Sequence, residues 1–196
     1  MAVTTNPPVL GGAPTASGRA DGRSDLAVRS RLAALNAFLL SCLSLWLGLV
    51  ALNNIDDFGT NQDLISRMLT MRELKESPVN GNGLEWRAMP DSLAGPTLIG
   101  VIVYEVLIVA LLAWAAAGQW RRALGRPAGM AVTRRTNIAL GAFAGLFVLF
   151  LCGGMFFCYW IYIGAAQQVH FTGLILGLLT ALLVNLPSVT GAQKEQ

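Results

Sequence analysis

One carboxylic acid, Glu105, stands alone inside a long run of apolar residues and is the side chain most able to do chemistry in this sequence. An ionised carboxylate near the middle of a membrane costs on the order of 2.5–3.5 kcal/mol, so such acids usually face a partner or a wet cavity. Three interpretations stay open. In the first, the acid pairs with Arg87 or with the amides of Asn53 and Asn54 and holds a loop onto the membrane domain. In the second it binds a proton or a cation, and in the third it is protonated and only packs.

The single histidine, His170, stands at the entrance to the last apolar segment. A haem held by two imidazoles needs a second histidine, which leaves Met155 as the remaining candidate for an axial ligand. We therefore expect His170 to be a hydrogen-bonded residue at the membrane surface, and we expect no cofactor and no metal ion.

Three cysteines, Cys42, Cys152 and Cys158, lie in apolar segments and form no C-x-x-C pair. A thiol oxidase of the four-helix type needs paired cysteines in the loop after the first apolar segment, and residues 53–96 contain none. No Ser-His-Asp or Cys-His arrangement falls on one side of the membrane. We expect the cysteines to behave as buried small hydrophobic residues and the chain to lack intrinsic catalysis.

The composition of the 196 residues excludes an ordinary soluble domain, because 54% are hydrophobic and only 13% are charged, with a mean hydropathy of +0.55. Globular chains carry about 25% charged residues. The net charge is +3, and no basic patch with interleaved aromatic residues is present. Nucleic-acid binding is therefore disfavoured.

Four apolar segments are the elements that must position these residues. Each is close to the ~20 residues that a helix needs to cross ~30 Å of hydrocarbon. Backbone polar groups in lipid must be satisfied within their own segment, which favours helices. The sequence therefore predicts an all-α polytopic membrane protein, a bundle of four transmembrane helices with a long extracytoplasmic loop between the first two. The predicted spans are 32–52, 98–117, 138–159 and 171–186.

The charges between the spans predict the orientation of the chain. Acids outnumber bases in 53–96, whereas 118–136 holds five arginines and no acid. Basic loops stay in the cytoplasm, so both tails, 1–31 and 187–196, are predicted there. The first tail is rich in Pro, Gly, Ser and Thr, which predicts disorder. Arginine far outnumbers lysine, which hints at a bacterial inner-membrane protein.

Small residues recur at helical spacing in three of the spans, and in lipid such residues allow helices to approach closely. They follow one face of the first span and form small-xxx-small pairs in the third and fourth. We expect helix contacts at Ser41, Ser44, Gly48, Gly141, Gly145, Gly153, Gly154, Gly173 and Gly177. The sequence leaves open whether a given face packs inside the bundle or against another subunit.

The loop 53–96 is long for a simple tether. Apolar residues between Leu64 and Leu69 recur at helical spacing, which predicts an amphipathic helix over about 61–72 on the membrane surface or over the bundle. Thr60 followed by Asp63 resembles a capping box at its start.

Three short motifs are similar to those of a bacterial family of small four-span integral membrane proteins of unknown function. They are Asn53-Asn54-Ile55, Trp86-Arg87-Ala88, and the pattern Gly153-Gly154-x-x-Phe157-x-x-Trp160. The resemblance covers residues 32–186 and implies a membrane fold and location without implying a reaction. Met155 departs from the family pattern, where an acid is expected after the paired glycines.

The leading hypothesis is an accessory or assembly subunit of a larger membrane complex, with membrane lipid and other subunits, or a second copy, as partners. It rests on the small-residue faces and on the shortage of cofactor ligands. The alternative is a small transporter or channel-like subunit that uses Glu105 as a polar site within the membrane. A redox enzyme needs ligands that the chain lacks.

Overall fold

The computed structural model describes residues 16–77, 83–127 and 131–186, with side chains from residue 27 onward. Every regular element in these ranges is helical, which confirms the all-α prediction. The α-helices are α1 (Ala16–Asp56), α2 (Phe58–Thr70), α3 (Arg72–Glu76), α4 (Ala94–Ala123), α5 (Ala131–Phe156) and α6 (Gly164–Asn185). Single turns of 3-10 helix occur at Glu85–Arg87, Asp91–Leu93 and Tyr159–Ile161.

Four helices are long and apolar enough to cross a membrane, namely α1, α4, α5 and α6. Their bounds differ from the predicted ones at several ends, including the point where the third helix meets the fourth. The third helix ends at Phe156, and the fourth begins at Gly164, because the short 3-10 turn at Tyr159–Ile161 reverses the chain between them. The last helix is therefore 22 residues long, which is ample for a full span.

The helix α1 is longer than the predicted span at both ends. It begins at Ala16, so residues 16–31 are helical where disorder was expected; residues 1–15 and 187–196 lie outside the described residues. It also continues to Asp56, past the predicted end at residue 52. The longer C-terminal end carries Asn53 and Asn54 on a rigid helix instead of a loop.

The four long helices pack in the order α1, α4, α5, α6, and their shared core is built from aliphatic and aromatic residues. Trp46 of α1 stacks on Phe147 of α5 with ring centroids 5.8 Å apart. Two predicted packing glycines make the α5–α6 contact possible. A Cβ at Gly173 would lie 2.4 Å from the ring of Phe147, and one at Gly177 would lie 2.9 Å from Phe143.

Other predicted packing residues lie on outward surfaces of the bundle. A Cβ at Gly141 meets nothing within 4 Å, and one at Gly145 meets only the hydroxyl of Tyr104, at 3.7 Å. Gly48 faces Val109 loosely, at 3.8 Å. Gly141 therefore makes no close helix contact among the described residues, and its packing role stays a prediction for a contact with another subunit.

The chain between α1 and α4 forms a layer over one end of the bundle, which we call the cap: α2, α3 and the two 3-10 turns that follow. Leu69 of α2 is buried, and α2 packs on α4. The predicted capping box at Thr60 does not form, because α1 runs to Asp56 and α2 already begins at Phe58. A backbone hydrogen bond of 2.8 Å from the N–H of Met89 to the carbonyl oxygen of Leu69 ties the segment between the two 3-10 turns to the C-terminal end of α2.

Candidate ligand-binding cavity around Glu105

Glu105 lies on the inward face of α4, and only 1% of it is exposed. Its neighbours on that face, Leu98, Ile108 and Leu112, are equally buried and fix the direction in which the side chain points. The carboxylate oxygen Oε2 accepts a hydrogen bond of 2.9 Å from the amide Nδ2 of Asn54. This contact joins α1 to α4 at the end of the bundle that carries the cap.

Arg87 does not pair with Glu105 as the first interpretation proposed. Its Nη1 donates to the carbonyl oxygen of Phe156 at 3.1 Å, and its guanidinium lies 5.4 Å from the ring centroids of both Trp86 and Phe156. The carbonyl belongs to the last residue of α5, where a cation is favoured by the helix dipole. Arg87 therefore fastens the cap to the end of α5.

Asn53 and Trp86 also lie apart from Glu105. Asn53 is exposed, and its carbonyl oxygen accepts a bond of 3.3 Å from the amide of Asn61 in α2. Trp86 is 73% exposed and makes an edge contact with Phe156. Of the four other candidates named from the sequence, Arg87, Asn53, Asn54 and Trp86, the structure brings only Asn54 to Glu105.

A partly open cavity of about 420 Å³ lies beside Glu105, between the cap and α1, α4, α5 and α6. Its walls are mainly aliphatic and aromatic. The polar residues that line it are Asn54, Asn61, Thr97, Glu105, Tyr159 and His170. Small-molecule sites have this character, being mostly apolar with a few polar groups and about 300–1,000 Å³ in volume.

A second polar pair, Tyr159 and His170, lines the same cavity. The hydroxyl of Tyr159 lies 2.8 Å from Nδ1 of His170 and 3.3 Å from the carbonyl oxygen of Phe150. Burial raises the pKa of Tyr159 to about 12, so its phenol stays protonated at neutral pH. His170 is thus hydrogen-bonded, and its ring packs on Phe150 with centroids 4.7 Å apart.

The pairing of Tyr159 with His170 was missed from the sequence. It depends on the chain reversal after α5, where Cys158 adopts a left-handed backbone conformation with φ of 56°. The only signal was the aromatic run that ends the third apolar segment, which was interpreted as an interfacial belt.

The two adjacent glycines Gly153 and Gly154 have different roles beside the cavity. Gly153 lines the cavity, and a Cβ there meets nothing within 4 Å. Gly154 is buried against Gln167, whose Oε1 would lie 2.3 Å from an added Cβ. Gly154 therefore serves helix packing, whereas Gly153 leaves open space in the cavity.

The cysteines are not grouped, and only Cys158 is buried. Cys42 and Cys152 are exposed on their helices, so the expectation that all three are buried is wrong for these two. Both lie on helix faces that the described part of the chain leaves uncovered. Within the described ranges, no group of three His, Cys, Asp or Glu side chains is placed to hold a metal ion.

The fold and the cavity define a class, that of small helical membrane proteins with four spans and a ligand-sized cavity near one end. The chain belongs to the family described as predicted small integral membrane protein (DUF2165), whose profile matches residues 32–187. This confirms membership of a membrane-protein family of unknown function. No curated protein and no solved structure matches the chain significantly.

Proposed function

We propose that this chain is a non-catalytic accessory or assembly subunit that receives a transmembrane helix of a partner protein in a groove between α1 and α4. The observation that carries the proposal is the groove itself, a shallow space of about 540 Å³ on the outside of the bundle. Small residues form its floor, and small residues are what allow helices to approach in lipid. Those residues are Ser41, Ser44, Gly48, Ala113, Ala116 and Ala117.

The polar groups of the groove favour an apolar partner helix. The hydroxyl of Ser41 donates to the carbonyl oxygen of Ala37 at 2.8 Å and accepts from Trp120 at 3.3 Å. The hydroxyl of Ser44 donates to the carbonyl oxygen of Val109 at 3.1 Å. Because these hydroxyls are already bonded, the groove offers close van der Waals packing rather than hydrogen bonds.

We place the protein in a bacterial inner membrane with both termini in the cytoplasm. The support is the charge of the two ends of the bundle. Arg121, Arg126 and Arg134 are exposed at the end opposite the cap, whereas Asp56, Asp63 and Glu76 are exposed on the cap side. A basic end is favoured in the cytoplasm. A reporter fused after Gln196 should be active in the cytoplasm, and periplasmic activity would contradict this orientation.

Gentle-detergent purification from the native membrane tests the accessory role. We expect a different membrane protein to co-purify in constant ratio with the native chain and to be lost with Gly48→Leu. A Cβ at Gly48 makes an ordinary contact with Val109, at 3.8 Å, and Gly48 lines the groove, so a leucine there is expected to occupy the groove. Gly100→Leu is the matched control, because a Cβ at Gly100 on α4 meets nothing within 4 Å and the residue lies outside the groove. Recovery of this chain alone, or of a second copy only, would contradict the proposal.

The second candidate function is a small transporter or channel-like subunit with Glu105 as its polar site. The cavity favours it, because an acid that faces an open space within a membrane domain commonly marks a substrate or ion path. The test is flux of protons or solutes into vesicles that contain only this chain. Flux that Glu105→Gln abolishes would support this function, and an unchanged leak would contradict it.

A further inference from the structure

The cavity beside Glu105 has an unbalanced charge distribution. Among the residues that line it, Glu105 is the only acid, and no lysine or arginine is present. Arg87, the cation expected to pair with Glu105, is held instead by Phe156 and Trp86. The two ion pairs in the described ranges, Arg67–Glu73 and Arg72–Asp63, both lie in the cap and leave Glu105 without a cationic partner.

We propose that this cavity binds an amphipathic amine, with its ammonium group at the carboxylate of Glu105 and its apolar group against the cavity walls. In a poorly hydrated site the low dielectric strengthens the attraction between a carboxylate and a cation, and the hydrogen bond between them is stronger than one between neutral groups. Asn54 donates to Oε2, and no hydrogen bond among the described residues reaches the second carboxylate oxygen, Oε1. An ammonium group supplies the missing donors and the missing charge.

Aromatic residues in the cavity wall strengthen this assignment. Phe150, Phe157 and Tyr159 line the same space as Glu105. The faces of aromatic rings attract ammonium groups, most strongly in desolvated sites. The ring of Tyr159 is held in place by its bonds to His170 and to the backbone of Phe150. The cavity wall therefore carries aromatic rings as well as a carboxylate.

The rest of the wall defines the apolar part of the ligand. Leu64, Ile65 and Met68 of the cap face the cavity from one side, and Val101 and Leu149 face it from the span helices. A volume of about 420 Å³ accommodates an ammonium group that carries a phenyl ring or an alkyl chain. The inference deepens the second candidate function and does not depend on the groove between α1 and α4.

Equilibrium dialysis with radiolabelled 2-phenylethylamine tests the proposal. The full-length chain is placed in phosphatidylcholine nanodiscs, and binding to empty nanodiscs is subtracted. The neutral analogue 2-phenylethanol serves as the competitor that keeps the ring and lacks the charge. We expect the amine to bind at least about tenfold more tightly than the alcohol, a difference of about 1.4 kcal/mol. In Glu105→Gln the ratio of amine affinity to alcohol affinity should fall to about one, whereas in the exposed control Glu76→Gln the tenfold ratio should persist.

A second pair of variants tests the location of the site without removing the acid. Gly153→Leu places a side chain into the open space of the cavity, and Gly141→Leu places the same side chain on the outer surface of the same helix. We expect Gly153→Leu to abolish amine binding and Gly141→Leu to leave it unchanged, with equal helix content by circular dichroism.

Three results would overturn the proposal: equal affinity for the amine and the alcohol, full amine affinity in Glu105→Gln, or no binding of the amine to the native chain. Equal affinity would identify a cavity for neutral amphipathic molecules. Because binding is measured without flux or partners, these results are distinguishable from failure of either candidate function.

Discussion

Replacing Gly173 with alanine tests the packing of α5 against α6 most directly. The added Cβ would lie 2.4 Å from ring atoms of Phe147, well inside the ~3.5–4.0 Å of an ordinary carbon–carbon contact. Phe147 is 4% exposed and stacks on Trp46, so its ring cannot move away freely. The helices must separate instead. Overpacking of this kind costs about 1–3 kcal/mol, which exceeds the gain of up to about 1 kcal/mol from replacing glycine with alanine in a helix.

The matched control for this prediction is Gly141→Ala, because a Cβ at Gly141 meets nothing within 4 Å. This variant should keep the gain in helix propensity and lose nothing. We therefore expect Gly173→Ala to be less stable than Gly141→Ala by about 1–3 kcal/mol, the cost of overpacking. Reversible unfolding in mixed micelles, followed by circular dichroism and tryptophan fluorescence, measures the difference. Equal stability of the two variants would refute the packing of Phe147 against Gly173.

Two hydrogen-bond predictions follow from the cavity. Asn54→Ala should lower the free energy of unfolding by about 1–3 kcal/mol, because Glu105 loses its donor, whereas the exposed neighbour Asn53→Ala should change it by less than about 0.5 kcal/mol. Tyr159→Phe should also destabilise the chain by about 1–3 kcal/mol, because His170 loses its partner. Tyr162→Phe should be neutral or stabilising, because that buried hydroxyl has no hydrogen-bond partner among the described residues. The same unfolding measurement checks both pairs, and equal effects within a pair would contradict them.

The four spans could be predicted from the sequence because runs of about twenty apolar residues have few alternatives to a membrane helix. Their ends could not, since helix ends depend on local turns. The reversal at Cys158 and Tyr159 has no glycine or proline to mark it, so the third span was extended too far and the fourth was begun too late. The extension of α1 to Asp56 was also missed, because the end of that helix depends on the local turn into α2.

The candidate site was predicted in part. A lone acid in an apolar segment identifies Glu105 as a residue that needs a partner, but it does not say which one. Asn54 was one of three named candidates. The choice among them depends on the extension of α1, which carries Asn53 and Asn54, and on the path of the cap, which carries Arg87. Arg87 points to the end of α5 because Phe156 offers it both an aromatic ring and a carbonyl oxygen. No spacing in the sequence contains that information.

The position of Glu105 also bears on whether one copy of the chain can conduct protons. The next buried polar pair along α4 is Gln119 with Thr136 of α5, which lie 3.2 Å apart. Between Glu105 and Gln119, α4 rises about 21 Å at 1.5 Å per residue, and its inward face there carries Ile108 and Leu112, both 0% exposed. Along this face a proton would have to cross packed aliphatic side chains that carry no donor or acceptor.

Vesicles that hold a single copy of this chain should therefore have the proton permeability of empty vesicles, measured with an entrapped pH-sensitive dye. Amine binding at Glu105 should persist in the same preparation, because the cavity opens without crossing the core. Proton flux at one copy per vesicle, removed by Glu105→Gln, would contradict this reasoning and would favour the transporter or channel-like function. Flux that arises only at high copy number would instead require a conducting path between chains, since the buried Ile108 and Leu112 interrupt the path within one.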